Sequence, residues 1–520
     1  MVFSSYNFLL FFLPCLCIIL YFAQRLNKIH LIILLIVSSL IFLGFWDWKL
    51  LWVLLFSIFI NFAIASVILK LQEKYILKKT FLVIGIIFNL SLLGYFKYSN
   101  FFIDNINQFF NYNISSLNLI LPLGISFYTF QQIAYLIDIH RKEVKKHNLI
   151  YYLLFVTFFP QLIAGPIVHH KEMMPQFLKG KAGYFKINLV ACGITFFTIG
   201  LFKKVIMADS MSTYASPVFE AAGKGILVPF FEAWGGTFAY TFQIYFDFSG
   251  YSDMAIGLGL IFGLKLPINF FSPYKSSNLI EFWKSWHITL SRFLKYYLYF
   301  PLGGNKNGIF RKYINIFLVM VIGGFWHGAN WTFVIWGFMH GVGIILCHLW
   351  NDFFNKGNIH NKRSKSSVKK WMGCFLTIIF INFTWVFFRS QNLESAMIVI
   401  DGMLGLNGII LPKTYLIYFE PFVNILSNYN IKFEESYLFF GKDQVLTLLI
   451  FLLIILLFPN SNEFINYQSS KNQINSNETK NLLKKINWKP TSFWAILLSL
   501  LTILCLIFMS RSGEFLYFQF

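Results

Sequence analysis

Long apolar runs separated by short polar segments recur along this chain from beginning to end. Runs near the roughly 20 residues that a bilayer-crossing helix needs lie at 6–23, 30–46, 50–69, 81–98, 119–138, 149–165, 187–206, 331–350, 371–389, 444–459 and 492–510. The stretch 226–262 is long enough for one or two more. The runs are continuous rather than alternating, which excludes a membrane β-barrel. The pattern predicts an all-α, polytopic integral membrane protein of about 11–12 crossing helices, supplemented by re-entrant and interfacial helices. One membrane domain over 1–520 is expected, with N-terminal spans in 1–148, a core in 149–350 and C-terminal spans in 351–520.

Composition agrees: 57% of residues are hydrophobic and only 12% charged, with 65 Phe and 14 Trp, a chain suited to lipid rather than water. The net charge of +21 sits in short loops between the runs, which argues against nucleic acid and for the positive-inside pattern, with attraction to anionic membrane lipids as a by-product. Four Lys in 70–79 and Arg141, Lys142, Lys145 and Lys146 in 140–147 flank a loop, 99–118, that holds no Lys or Arg. The N-terminus, 47–49 and 99–118 are therefore expected outside, and 24–29, 70–80 and 139–148 inside. The basic segments 352–370 and 460–491 also read as inside, the second containing a flexible Asn/Ser/Lys-rich linker. Phe520 then falls outside. The loop 390–443 carries three Lys against six acids and reads as an outside surface where a partner docks. Arg25 is the first basic residue and follows the first run, so that run reads as an uncleaved anchor. Residues 149–168 are expected to dip in and return, turning at Pro160, Gly165 and Pro166, because 169–186 is basic again. The six cysteines suggest neither a disulfide framework nor a metal site.

The middle third departs from plain spans. Residues 263–313 are too polar to cross, rich in aromatics, and interrupted by Pro267, Pro273 and Pro301. SNLIEFWKSWHITLSRFLKYYLYF reads as an amphipathic interfacial helix capped by Ser277 or Asn278, with Trp283, His287 and Ser291 on one face. Histidine is scarce, ten in 520 residues, yet His287, His327 and His340 fall in one sixty-residue block among Trp, Gly and aromatics. An imidazole is costly to desolvate, so this block is the candidate acid/base site. In GGFWHGANWTFVIWGFMHG the glycines Gly323, Gly324 and Gly328 permit a broken helix, tolerated at membrane depth where it lines a cavity. If the segment is helical, His327, Asn330 and Trp331 share a face. His340 lies within Gly337-x-x-x-Gly341, where a hydrogen-bonded packing role outweighs a catalytic one.

Asp247 and Asp253, in IYFDFSGYSDMAIGLG, sit in a stretch without Lys or Arg. They serve an ion site, orient a histidine, or accept tyrosine hydrogen bonds at an interface. No P-loop, Rossmann fingerprint, H-E-x-x-H or G-x-S-x-G is present, which leaves nucleotide hydrolysis, dinucleotide redox and serine-hydrolase chemistry without support. Proton transfer to or from a hydroxyl or thiol remains, as does a proton relay in transport.

Several long segments decide between these: LPLGISFYTFQQIAYLIDIHR, FPQLIAGPIVHHKEMMPQF, GLFKKVIMAD, QIYFDFSGYSDMAIGLG, FWKSWH, GGFWHGANW and the terminal EFLYFQF. Over nearly its whole length the chain resembles the membrane-bound O-acyltransferase family, in the branch of alginate and peptidoglycan O-acetyltransferases. The resemblance implies a fold around a central tunnel and a place in the inner (plasma) membrane. It implies transfer of acetyl from cytoplasmic acetyl-CoA, a donor substrate rather than a bound cofactor, to a cell-surface polysaccharide, through a separate extracytoplasmic O-acetyltransferase partner. It marks His327 as the essential histidine and places His287 on the same tunnel. Asn330 is then a plausible amide donor, and Trp283, Trp286, Trp326 and Ser291 are supporting residues. The motifs do not identify the acceptor. The alternative is a secondary transporter or flippase for a cell-envelope precursor, which accounts for the spans and intramembrane acids but not for two histidines framed by aromatics beside a basic surface.

Overall fold

The computed structural model describes residues 2–71, 74–144, 147–355, 367–428, 431–434, 438–466, 488–511, 513 and 516. Most of the basic segment 352–370 and of the linker 460–491, and most of the terminal motif, lie outside these residues. Among the described residues six helices are long and apolar enough to cross a membrane: Trp48–Lys70, Tyr75–Phe110, Ile187–Gly223, Gly308–His327, Trp331–Phe353 and Val368–Arg389. Asn7–Ala23, Lys28–Gly44 and Ser492–Phe508 are shorter apolar helices. The peripheral helices leave Leu10, Phe11, Trp52, Phe56, Ile84 and Phe375 exposed, as a lipid-facing surface requires. This is an all-α multi-pass membrane protein. Its only described strands are Ile409–Pro412 and Ile431–Glu434, paired in parallel.

The centre is built on one helix. Residues 226–262, expected as one or two spans, fold into the single 32-residue helix Phe230–Ile261, buried on nearly every face. Its partner is the helix of Ile187–Phe202, and glycines set their spacing. A Cβ on Gly200 would meet the Gly250 carbonyl oxygen at 2.5 Å, and one on Gly250 would meet that of Gly200 at 2.7 Å. Gly193 and Gly257 repeat the arrangement two turns away. Small residues at such a crossing bring backbones together where no hydrophobic force separates helix from lipid.

Three expectations change. The segment 308–327 was not among the apolar runs; its Arg311, Lys312 and three glycines dilute the signal, but it forms a continuous helix. Residues 390–443 are not simply a loop. Asn392 and Ser395 cap the helix Leu393–Met403 reciprocally, and that helix buries Ala396, Val399, Ile400 and Met403. In 149–168 the first break falls at Phe158, between Leu149–Thr157 and Phe159–Leu162, so Pro160 lies inside a short helix rather than at the turn; non-helical chain follows through Gly165 and Pro166.

Candidate active site

The expected continuous helix through FWKSWHITLSRF is two helices, Leu279–Ser285 and Ile288–Leu294. Asn278 caps the first by accepting from the Glu281 N–H. The break falls at His287, whose φ of +42° lies in the left-handed region that a non-glycine residue adopts at a cost. Backbone bonds from Ile288 N to Asn269 O (2.9 Å) and Phe271 N to Ser285 O (2.9 Å) hold the turn against the loop before it. Trp283, His287 and Ser291 therefore do not share a helix face.

Asn269 orients the imidazole. Its side-chain oxygen accepts from the Thr289 N–H at 3.3 Å and the Thr289 hydroxyl at 2.9 Å, and lies 3.1 Å from Nδ1 of His287. A peptide N–H can only donate, so this atom is an acceptor and Nδ1 of His287 carries the proton. The other nitrogen, Nε2, is the basic one. Nothing in the pattern around Asn269 singled it out, since it lies in an irregular loop rather than a motif.

His327 ends its helix, and Gly328 takes an extended conformation, so the predicted break is there. His327 is buried between aromatic rings: Trp326 at 5.0 Å, Trp336 at 5.2 Å and Phe388 at 5.2 Å between centroids. The His287 and His327 rings lie 6.4 Å apart. The indole N–H groups of Trp326 and Trp336 and the hydroxyl of Ser291 are buried without a hydrogen-bond partner among the described residues. Trp286 packs in the wall, stacked on Phe282 at 5.6 Å and against Trp385 at 5.1 Å.

Other expected residues serve elsewhere. Asn330 does not follow His327 on a helical face. Its oxygen accepts from Thr332 N at 3.1 Å, starting the next helix, and its amide donates to Gln391 O at 2.7 Å. The Trp283 indole donates to Nδ1 of His340 at 3.2 Å, so Nε2 of His340 carries the proton and faces Thr384 Oγ1 at 3.1 Å. Both nitrogens are occupied, and Gly337 and Gly341 bring that helix against Met320 and Phe317. Asp247 and Asp253 orient neither histidine. Asp247 pairs with Lys204 at 2.9 Å and accepts from Leu516 N at 3.0 Å; Asp253 pairs with Lys203 at 2.7 Å and accepts from Ser461 at 2.6 Å. A buried carboxylate needs a partner, and GLFKKVIMAD supplies both lysines.

Two features escaped the sequence reading. Lys97 Nζ donates to the carbonyls of Trp326 and His327 at 2.8 Å each, and the Tyr98 hydroxyl donates to Phe325 O at 3.0 Å. A cation on the last carbonyls of a helix complements its dipole, so this turn fixes the helix end that carries His327. Lys97, Trp326 and His327 line a cavity of about 260 Å³ with Trp46 and residues 120–127. A second cavity, of about 270 Å³, holds Asp138, Arg141, His169, Glu172, Arg292 and Tyr297. There Tyr297 donates to Asp138 at 2.9 Å, His169 Nδ1 donates to Tyr297 at 3.0 Å, His170 bonds Asp138 at 2.7 Å, and Arg292 grips Glu172 with two bonds. Burial, then the Arg292 charge, holds the His169 pKa down at about 4. Burial and the Asp138 carboxylate push that of Tyr297 up. Thr289 links this region to the histidine turn by accepting from Ile167 N at 2.9 Å.

Residues 40–396 match the membrane-bound O-acyltransferase family. The chain belongs to that family. It is 40% identical over 511 residues to a peptidoglycan O-acetyltransferase of Helicobacter pylori, covering 94% of this chain and 91% of the relative. It is 38% identical over 415 residues to the probable alginate O-acetylase AlgI of Pseudomonas aeruginosa, covering 78% and 75%. A teichoic acid D-alanyltransferase of Streptococcus thermophilus is 26% identical over 283 residues, 51% of this chain and 68% of the relative. As a membrane-bound O-acyltransferase the chain is an enzyme, which displaces the transporter and flippase alternative.

Proposed function

We propose that this enzyme takes an acetyl group from acetyl-CoA on the cytoplasmic side and delivers it to hydroxyls of an extracytoplasmic polysaccharide, through a separate extracytoplasmic transferase. The names of its relatives support acetyl as the group and a peptidoglycan- or alginate-like polymer as the destination. The observation that carries the reading is the pair of buried imidazoles 6.4 Å apart, one of them in the wall of a cavity.

A hydroxyl is a weak nucleophile at neutral pH because little alkoxide exists. As its oxygen attacks the thioester carbonyl, His327 takes the hydroxyl proton; the new C–O bond forms, the C–S bond breaks, and the thiolate leaves to be protonated as CoA. General-base help of this kind contributes typically about 10²–10⁴-fold. His287, its protonated Nδ1 held by Asn269, positions the thioester from the other side. The unpartnered indole N–H groups of Trp326 and Trp336 are donors available to the carbonyl oxygen as it gains charge. The basic surface of 284–312 suits the CoA phosphates. This direction requires the cavity at His327 to open outward, as the charge-derived topology has it, with both termini extracytoplasmic in the inner membrane.

The test is purified protein in detergent with labelled acetyl-CoA and a soluble hydroxyl acceptor. Acetyl transfer that disappears in His327→Ala, at unchanged protein abundance, supports the reading; retained transfer removes His327 from the chemistry.

A further inference from the structure

A third cavity, of about 250 Å³, lies where the helix Ile187–Phe202 begins and the central helix Phe230–Ile261 ends, and the proposed reaction does not use it. Lys181, Lys186 and Lys265 line it, with Gln176, Tyr184 and Gly263. Its walls are fixed by short contacts. Gln176 holds Lys265 twice, accepting from its N–H at 2.9 Å and donating to its carbonyl at 3.0 Å. Gly263 has a φ of +75°, and a Cβ there would strike the carbonyl oxygens of Lys181 and Tyr184, so glycine lets the two loops meet. Three lysines thus face one space, and the segments that bring them supply no counter-charge: 173–208 and 254–280 contain no Asp or Glu. Among the described residues no carboxylate pairs with any of the three. Like charges gathered in this way repel, and an anion between them removes the cost. The positive end of the helix that starts at Ile187 adds to the same field, and its cap, Lys186, offers no side-chain acceptor.

The position of the cavity says which anion. Ile187 opens a segment long and apolar enough to cross the membrane, Ile187–Gly223, so the three ammonium groups stand at the level of lipid headgroups. Beyond them the surface turns apolar at once: Ile187 is 86% exposed, and Ile194, two turns along the same face, is 49% exposed. At about 250 Å³ the space takes a phosphate with a small alcohol, but it falls below the roughly 300–1,000 Å³ of sites that hold drug-sized molecules such as a nucleotide with its base. We infer that this cavity binds the headgroup of an anionic phospholipid, with Lys181, Lys186 and Lys265 around the phosphate and the acyl chains along Ile187 and Ile194. The inference is independent of the proposed reaction. A bound headgroup bridges 181–186 to Lys265, four residues before Asn269, and so braces the loop that orients His287.

Lipid binding to the full-length protein in detergent tests this, with bound lipid counted by native mass spectrometry. Dioleoyl phosphatidylglycerol is compared with dioleoyl phosphatidylcholine, which has the same chains and a phosphate but no net charge. The anionic lipid is expected to bind at least about tenfold more tightly. The triple variant Lys181→Gln, Lys186→Gln, Lys265→Gln is expected to bring the ratio of the two affinities close to one. A control that loses the same charge elsewhere, Lys70→Gln, Lys74→Gln, Lys79→Gln, is expected to keep the preference. Equal binding of the two lipids by the unsubstituted protein, a preference that survives in the first triple variant, or an equal loss in both triple variants would each overturn the assignment. Displacement of bound phosphatidylglycerol by an equal concentration of CoA or inorganic phosphate would overturn it too, by making the cavity a site for soluble phosphates. The unsubstituted protein alone decides the first and last of these outcomes, whatever the fate of the variants.

Discussion

Asn269 and His287 are eighteen positions apart, and the oxygen of one fixes the proton of the other at 3.1 Å. The bond determines which imidazole nitrogen is basic, and the same oxygen ties down Thr289 in the turn that bends the chain. Asn269→Leu removes the acceptor and frees the ring. Misplacing a reacting group by about 1 Å costs about a hundredfold, so kcat for acetyl transfer should fall by roughly that factor while the protein still purifies as a single species. An unchanged kcat would show that His287 needs no such anchor.

His340 should behave differently from its neighbours. His340→Leu breaks the bonds to Trp283 and Thr384 and leaves an indole N–H buried without an acceptor. A stability loss of about 1–3 kcal/mol is expected, read as a lower midpoint of thermal unfolding in detergent. Turnover per folded molecule should fall far less than in His327→Ala. A variant with full stability and no turnover would move His340 into the chemistry.

The glycine contacts between the two central helices predict an asymmetry. Gly200→Ala drives a methyl group into the Gly250 carbonyl and should destabilise by about 1–3 kcal/mol. Gly44→Ala, at a helix end with nothing within 4 Å, should change stability by less than about 0.5 kcal/mol. Thermal unfolding of the two variants side by side is the measurement.

His169 links stability to pH. Its ordinary pKa is 6.5 and in the folded protein it is held at about 4, mainly by burial. Between those values the unfolded chain binds more protons than the folded one, so this group's contribution to stability is lost as pH falls from about 6.5 to about 4, with no further loss below. The unfolding midpoint of the unsubstituted protein should therefore drop more across that window than that of His169→Gln. Equal drops would mean that His169 titrates normally.

The spans were legible because lipid demands continuous apolar helices, and the glycine-framed break at His327 because Gly328 removes the restraint on the backbone. The break at His287 was not. WKSWHITLSRF has helical periodicity throughout, and what overrides it is the backbone of residues 269–271, remote in sequence. Lys97 escaped for a similar reason: one lysine near the end of an apolar run reads as a topology marker, and its role depends on a helix more than two hundred residues later. Asp247 and Asp253 were visible as costly charges, but their lysine partners lie on another helix that only the fold brings alongside.

The left-handed turn at His287 also bears on how this enzyme can be engineered. Glycine would occupy that conformation without strain, but it would also empty a fully buried site against Phe248 and take the imidazole from the Asn269 oxygen, and the cavity costs more than the left-handed backbone returns. Libraries screened by heat and libraries screened by turnover should therefore agree in keeping His287, and a stabilised form has to find its gains elsewhere.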